Sequence, residues 1–246
     1  MKLYQRIGLV VTIATITLQV ALAARLGVYI GVSGDHIIVA HGNALYRPTK
    51  SGLERITVIK RPDITAMTVG PDGVFTAVGR DLFACGLDGS QARVVGYANA
   101  EKILALSNLG GTLWIASRDT LFRTPVKGGG APDLVTRLPA GVRAISAQPE
   151  GVIVASGRTI WRVQGEKKTR ITDAASEVVA VAAAGPRIWY ACACDGGFEI
   201  RQVGESTRFP VTGMTTLDQL CLDDSGRTLY YSGWAGSEPR FASLTL

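Results

Sequence analysis

ITAMTVGPDGVFTAVGRDLFACGLDGSQARVV, residues Ile64–Val95, reads as four short strands: Ala66–Val69, Val74–Val78, Leu82–Cys85 and Ala92–Val95. The runs are rich in valine, leucine and phenylalanine. Pro71-Asp72-Gly73, Gly79-Arg80-Asp81 and Asp88-Gly89-Ser90 separate them, and such breaks punctuate hairpins rather than helices. Nowhere from Leu26 to Leu246 do apolar residues keep helical spacing over ten or more positions.

The phrase recurs six times. The pair that opens its third run falls at Leu45-Tyr46, Leu82-Phe83, Leu121-Phe122, Ile160-Trp161, Glu199-Ile200 and Arg240-Phe241, the last two keeping only the second apolar member. Second members lie 37, 39, 39, 39 and 41 residues apart. Arginine follows the pair at Arg47, Arg123, Arg162 and Arg201. A turn precedes each copy's second run: Gly34-Asp35, Pro71-Asp72-Gly73, Gly110-Gly111, Pro149-Glu150-Gly151, Gly185-Pro186 and Ser225-Gly226. Self-similarity at a period near forty residues marks an array. Four antiparallel strands per repeat, six times over, predict an all-β, six-bladed β-propeller occupying residues 24–246 as a single domain. A solenoid would need shorter repeats and parallel strands. The chain ends on Phe241–Leu246, the third strand of the sixth copy, so the last blade is expected to have three strands and an exposed edge. Such an edge is normally covered, or serves to receive a partner's strand.

Segments such as GPDGVFTAVGRDLF (Gly70–Phe83) and ASGRTIWRV (Ala155–Val163) resemble blades of the NHL/YWTD/SMP-30 group of six-bladed propellers. The resemblance covers most of residues 26–246, and its motifs concern folding rather than chemistry. The lactonase-like branch of that group holds a divalent cation with Glu, Asn and Asp side chains near the channel. It implies one divalent cation such as calcium, and a metal-dependent lactonase, hydrolase or lyase activity. Asp63, Glu177 and Asp218, at the starts of inner strands, are the side chains this sequence offers to such a cation.

Residues 1–23 stand apart. Lys2 and Arg6 precede the apolar run Ile7–Leu18, and Ala21-Leu22-Ala23 supplies a small-residue cleavage pattern. This is the pattern of a signal peptide cleaved after Ala23. The rival reading is an uncleaved membrane anchor over residues 7–24, which carry no charge. Either reading places the propeller outside the cytoplasm, periplasmic or secreted. Without Lys2 and Arg6 the chain carries 24 bases against 20 acids, too even for a nucleic-acid binder. Cys85, Cys192, Cys194 and Cys221 are its cysteines; in an oxidising compartment Cys194 or Cys192 with Cys221 is the expected bridge and Cys85 the free thiol.

Loops between second and third strands, with those between blades, surround one mouth of a propeller's channel. Arg80, Arg118 and Arg158 are expected at nearly equivalent positions there in three successive blades, joined by Arg61 and Lys102 from inter-blade loops and by His41. Guanidinium forks suit carboxylates and phosphates. Trp114, Trp161 and Trp189 read as packing residues on strands, whereas Trp234, in the loop 232–239, is the expected exposed anchor. No nucleophile, Walker or haem-attachment motif occurs. The expected function is a non-catalytic protein- or ligand-binding scaffold without a cofactor, whose partner is an envelope protein or an anionic small molecule.

Overall fold

Glycine turns and the period of forty sort the chain into six sheets arranged as a six-bladed β-propeller. A computed structural model of the chain describes residues 27–97, 101–127 and 131–246. The signal-peptide or anchor segment proposed for residues 1–23 lies outside the described residues. Blade one comprises β1 (Val28–Ser33), β2 (His36–His41), β3 (Ala44–Thr49) and β4 (Gly52–Val58). Blade two comprises β5 (Ala66–Gly70), β6 (Gly73–Val78), β7 (Asp81–Cys85) and β8 (Arg93–Tyr97). Blade three has β9 (Ala105–Leu109), β10 (Thr112–Ser117), β11 (Thr120–Pro125) and β12 (Asp133–Arg137). Blade four has β13 (Val142–Gln148), β14 (Gly151–Ser156), β15 (Thr159–Gln164) and β16 (Lys167–Asp173). Blade five has β17 (Val178–Ala184), β18 (Arg187–Cys194), β19 (Gly197–Gln202) and β20 (Arg208–Thr212). Blade six stops at three: β21 (Thr216–Leu222), β22 (Thr228–Ala235) and β23 (Glu238–Thr245).

All pairings are antiparallel between consecutive strands, so each first strand lines the channel and each last strand faces outward. Second strands such as β6 and β14 are buried almost throughout, because blades pack on both their faces. The core is a ring of inter-blade clusters. One joins Ala105, Trp114 and Leu121 of blade three to Val142, Ile145 and Val154 of blade four. Trp114, Trp161 and Trp189 all pack in such clusters, as their strand positions require.

The apolar pair that sets the repeat marks a β-bulge. Register shifts by one residue between Leu45 and Tyr46, Leu82 and Phe83, Leu121 and Phe122, and Ile160 and Trp161. The extra residue belongs to the outer strand and is apolar each time: Ile56, Val95, Val135 and Ile171. Each packs into a core cluster, so the bulge turns one side chain of an otherwise solvated strand inward. Blade five, whose pair begins with Glu199, has no bulge between β19 and β20.

Candidate functional site

The propeller has two unlike faces, and the turns decide their chemistry. On the front face each second strand meets its third through two residues: Gly42-Asn43, Gly79-Arg80, Arg118-Asp119, Gly157-Arg158, Asp195-Gly196 and Gly236-Ser237. The first turn residue of blades one to four offers its carbonyl to the chain entering the next blade. Ile64, Ile103, Val142 and Val178 donate their N–H groups to Gly42, Gly79, Arg118 and Gly157. The second accepts from its own blade's departing outer strand: Ile59 N–H to Asn43, Leu138 to Asp119 and Ala174 to Arg158. The short hairpins of blades one to four are thereby fixed in one orientation.

That register corrects one expectation. Arg80 and Arg158 are second turn residues and equivalent, but Arg118 occupies the first position, where Gly42, Gly79 and Gly157 stand. Its φ of 49° is left-handed, a conformation glycine takes freely and arginine only with strain. All three arginines are exposed, and the Arg158 Nε also donates to the Ala174 carbonyl at 3.2 Å. Arg61 is exposed too; it lines a cavity of about 550 Å³ between blades one and two with Tyr29, Asp63, Asp81 and Lys102. That cavity holds none of Arg80, Arg118 and Arg158, so the basic side chains spread over the face instead of converging.

Two other expected contacts are buried. β22 runs on to Ala235, so Trp234 belongs to a strand and not to a loop, and it is only 7% exposed. Its indole packs with Val28, Ile30 and Val39 in the seam between blades six and one, edge-on to the His41 ring at 5.4 Å. His41 lies beneath it at the end of β2. Burial lowers the pKa of His41 against the opposing pull of Asp63, which leaves the imidazole neutral and unsuited to holding an anion.

The acids proposed for a cation are engaged separately. The Glu177 carboxylate pairs with Arg143, Oε1 lying 2.7 Å from Nε. Asp218 accepts the Val28 N–H at 2.9 Å, and Asp63 stays exposed in its loop. Among the described residues no three His, Cys, Asp or Glu side chains gather as a metal site would require. All four cysteines are free, so Cys194 and Cys221 are not bridged. Cys194 sits at the front turn of blade five, whereas Cys221 pairs with Tyr230 towards the back of blade six. They occupy opposite ends of neighbouring blades.

The channel brings Asp218 together with groups that the sequence did not single out. Arg143 and Asp218 are extra residues of bulges in β13 and β21, which re-aim their side chains into a narrow front cavity with Tyr29 and Gln219. Burial raises the pKa of Asp218 although the Val28 N–H and the Thr216 hydroxyl pull it down. Gln219 reaches from blade six across the lumen: its Oε1 accepts Ile30 N–H and its Nε2 donates to the Met67 carbonyl, both at 3.1 Å. Behind this crossbar a cavity of about 370 Å³ opens on the back face, lined by the ends of all six inner strands. There Thr68, Ser107 and Ser146 accept N–H groups of Asn108, Ala147 and Ala183 from the next blade, at 3.2, 2.8 and 3.0 Å. A hydroxyl recurring in the inner strands of blades two to four was the legible signal for that ring.

No protein-family model matches the chain, and no curated protein is similar to it in sequence. Solved structures are similar in fold. A chain of a nidogen/laminin complex superposes with a TM-score of 0.68 at 12% identity, over 80% of this chain and 84% of that one. The Pan2 WD40 domain of Neurospora crassa superposes with a TM-score of 0.59 at 10% identity, over 86% and 74%. At such identities the likeness is one of architecture alone: the chain has the six-bladed β-propeller fold.

Proposed function

We propose that the chain is a non-catalytic binding scaffold of the cell envelope, periplasmic or secreted behind a signal peptide at residues 1–23. Its front face recognises a carboxylate-bearing envelope protein. The observation that carries this reading is the set of front turns of blades two to four, anchored by recurring backbone bonds and presenting exposed Arg80, Arg118 and Arg158. Guanidinium groups held on rigid turns meet carboxylates with little loss of rotamer freedom. Because they spread over separate blades, a protein surface spans them better than a small anion. The propeller fold is itself compatible with such a role.

A cation-dependent lactonase or lyase is less well supported. Glu177 is paired with Arg143, Asp218 accepts the Val28 N–H, and no three metal-ligating side chains gather among the described residues. The test is a pull-down from envelope extract with the purified protein, comparing wild type with the Arg80→Glu/Arg118→Glu/Arg158→Glu variant. A roughly tenfold loss of the captured partner is expected, with wild-type capture weakening as salt rises. Equal capture by both proteins would overturn the reading.

A further inference from the structure

The back cavity is rich in acceptors and carries no positive charge on its lining. Asn108 and Gln148 stand in it from blades three and four. Gln148 is 8% exposed, and its Nε2 is spent on the carbonyls of Ala147 and Ala183, both at 2.7 Å. Its Oε1 is buried with no hydrogen-bond partner, and so are Oδ1 and Nδ2 of Asn108. A buried polar group left unpaired costs about 1–3 kcal/mol, so the two amide oxygens call for a donor and Asn108 Nδ2 for an acceptor. Ser107 and Ser146 add hydroxyl oxygens that retain a lone pair beyond the N–H each accepts.

Charge points the same way. Asp223 and Asp224 line the cavity's blade-six side, and no Lys, Arg or His belongs to the lining. The back turns add Asp35, Asp72 and Glu150, all exposed, against Arg227 in the blade-six turn and Arg187, which opens β18 with its guanidinium beside Gly226. Asp224 is anchored by accepting the Gly34 N–H at 2.8 Å. Asp223 is partly buried, but hydrogen bonds from Thr228, Ser225 and Arg227 prevail and hold its carboxyl below the usual range. A carboxylate or phosphate entering here would meet the Asp223–Asp224 rim and carbonyls, with neutral donors such as Asn108 Nδ2 but no cation to offset the repulsion. A cation would be steered in.

We propose that the back end of the channel is a binding site for an alkylammonium group, held by the carboxamide oxygens of Asn108 and Gln148 beneath the Asp223–Asp224 rim. An ammonium brings three donors and no acceptor, which matches the two unpaired amide oxygens, while Asn108 Nδ2 is left to an acceptor other than the ammonium. The group could belong to a polyamine or to a lysine side chain, and the probes separate these. The site lies behind Gln219, opposite the front arginines, so the two faces bind independently.

Isothermal titration of the mature protein with spermidine, with N-acetyl-lysine methylamide and with myo-inositol tests the proposal. Saturable 1:1 binding is expected for at least one amine; which of the two binds more tightly identifies the source. Asn108→Asp adds a carboxylate at the floor and is expected to tighten amine binding roughly tenfold at low salt. Asn108→Leu should weaken it roughly tenfold while the melting temperature holds. Asp224→Asn, which keeps an acceptor for Gly34 N–H, should weaken it severalfold. The Arg80→Glu/Arg118→Glu/Arg158→Glu variant should bind the amine as wild type does, so failure at one face is told from failure at the other. No saturable amine binding, equal affinities across the Asn108 variants, or inositol binding as well as the amines would each overturn the proposal.

Discussion

Asp218 shows how one side chain serves closure at a cost. It bulges from β21 into the channel and accepts the Val28 N–H, yet burial raises its pKa above the ordinary aspartate value near 4. The folded protein therefore holds that proton more tightly than the unfolded chain does. Stability falls as pH rises from the unfolded pKa through the folded one, and above that window a constant penalty remains. Asp218→Asn retains an oxygen for Val28 N–H and loses the charge. The variant is expected to match wild type near pH 3 and to exceed it in stability from the upper end of the window to neutrality, by chemical denaturation across pH. A variant less stable than wild type at pH 7 would mean that the charged hydrogen bond outweighs desolvation. No sequence pattern announced this role: Asp218 was legible as an acid at a strand start, but its bulge was not. Trp234 misled for a related reason, since strand β22 continues through glycine and alanine residues that read as loop.

At the scale of the element, the outer strands are amphipathic by way of their bulges. In β12 Leu134 is 59% exposed and its neighbour Val135 only 8%. Strict alternation would let either residue face inward; the bulge opposite Leu121 and Phe122 decides for Val135. Val135→Ala is expected to cost about 1–3 kcal/mol, the scale of a buried valine side chain, whereas Leu134→Ala should stay within about 0.5 kcal/mol. Urea denaturation of the two variants separates them, and the reverse ranking would place the bulge elsewhere. The repeat ruler was fully legible here: the apolar pair that spaced the copies sits at the bulge in four blades. What it did not disclose is which residue of the partner strand is the extra one, because that depends on cross-strand pairing.

For the whole molecule the question is how the ring closes. Among the described residues blade six has no fourth strand, and blades six and one are joined by side chains. Val28 and Ile30 donate N–H groups to Asp218 and Gln219, Gly34 donates to Asp224, and the buried Ser232 hydroxyl donates to the Val28 carbonyl at 2.7 Å. Gln219→Ala removes both ends of the crossbar. It should lower stability by about 2 kcal/mol, with Ile30 N–H and the Met67 carbonyl left unpaired, and lower the melting temperature by a few degrees for a chain of this size. An unchanged melting temperature would show that the apolar seam of Val28, Ile30, Val39 and Trp234 closes the ring unaided. The number of blades and the three-stranded last blade were readable from the period; the closing bonds were not, because they pair positions from opposite ends of the chain.

Those closing bonds also set a timetable. Asp218 and Val28 are 190 residues apart, and Ser232 and Val28 are 204 apart. At about 5–20 residues per second of synthesis, blade one emerges roughly 10–40 s before its closing partners exist. During that wait Val28, Ile30 and Val39 lack the tryptophan that later covers them. The ring therefore cannot close until strands β21 and β22 have been made, whatever the earlier blades have done by then.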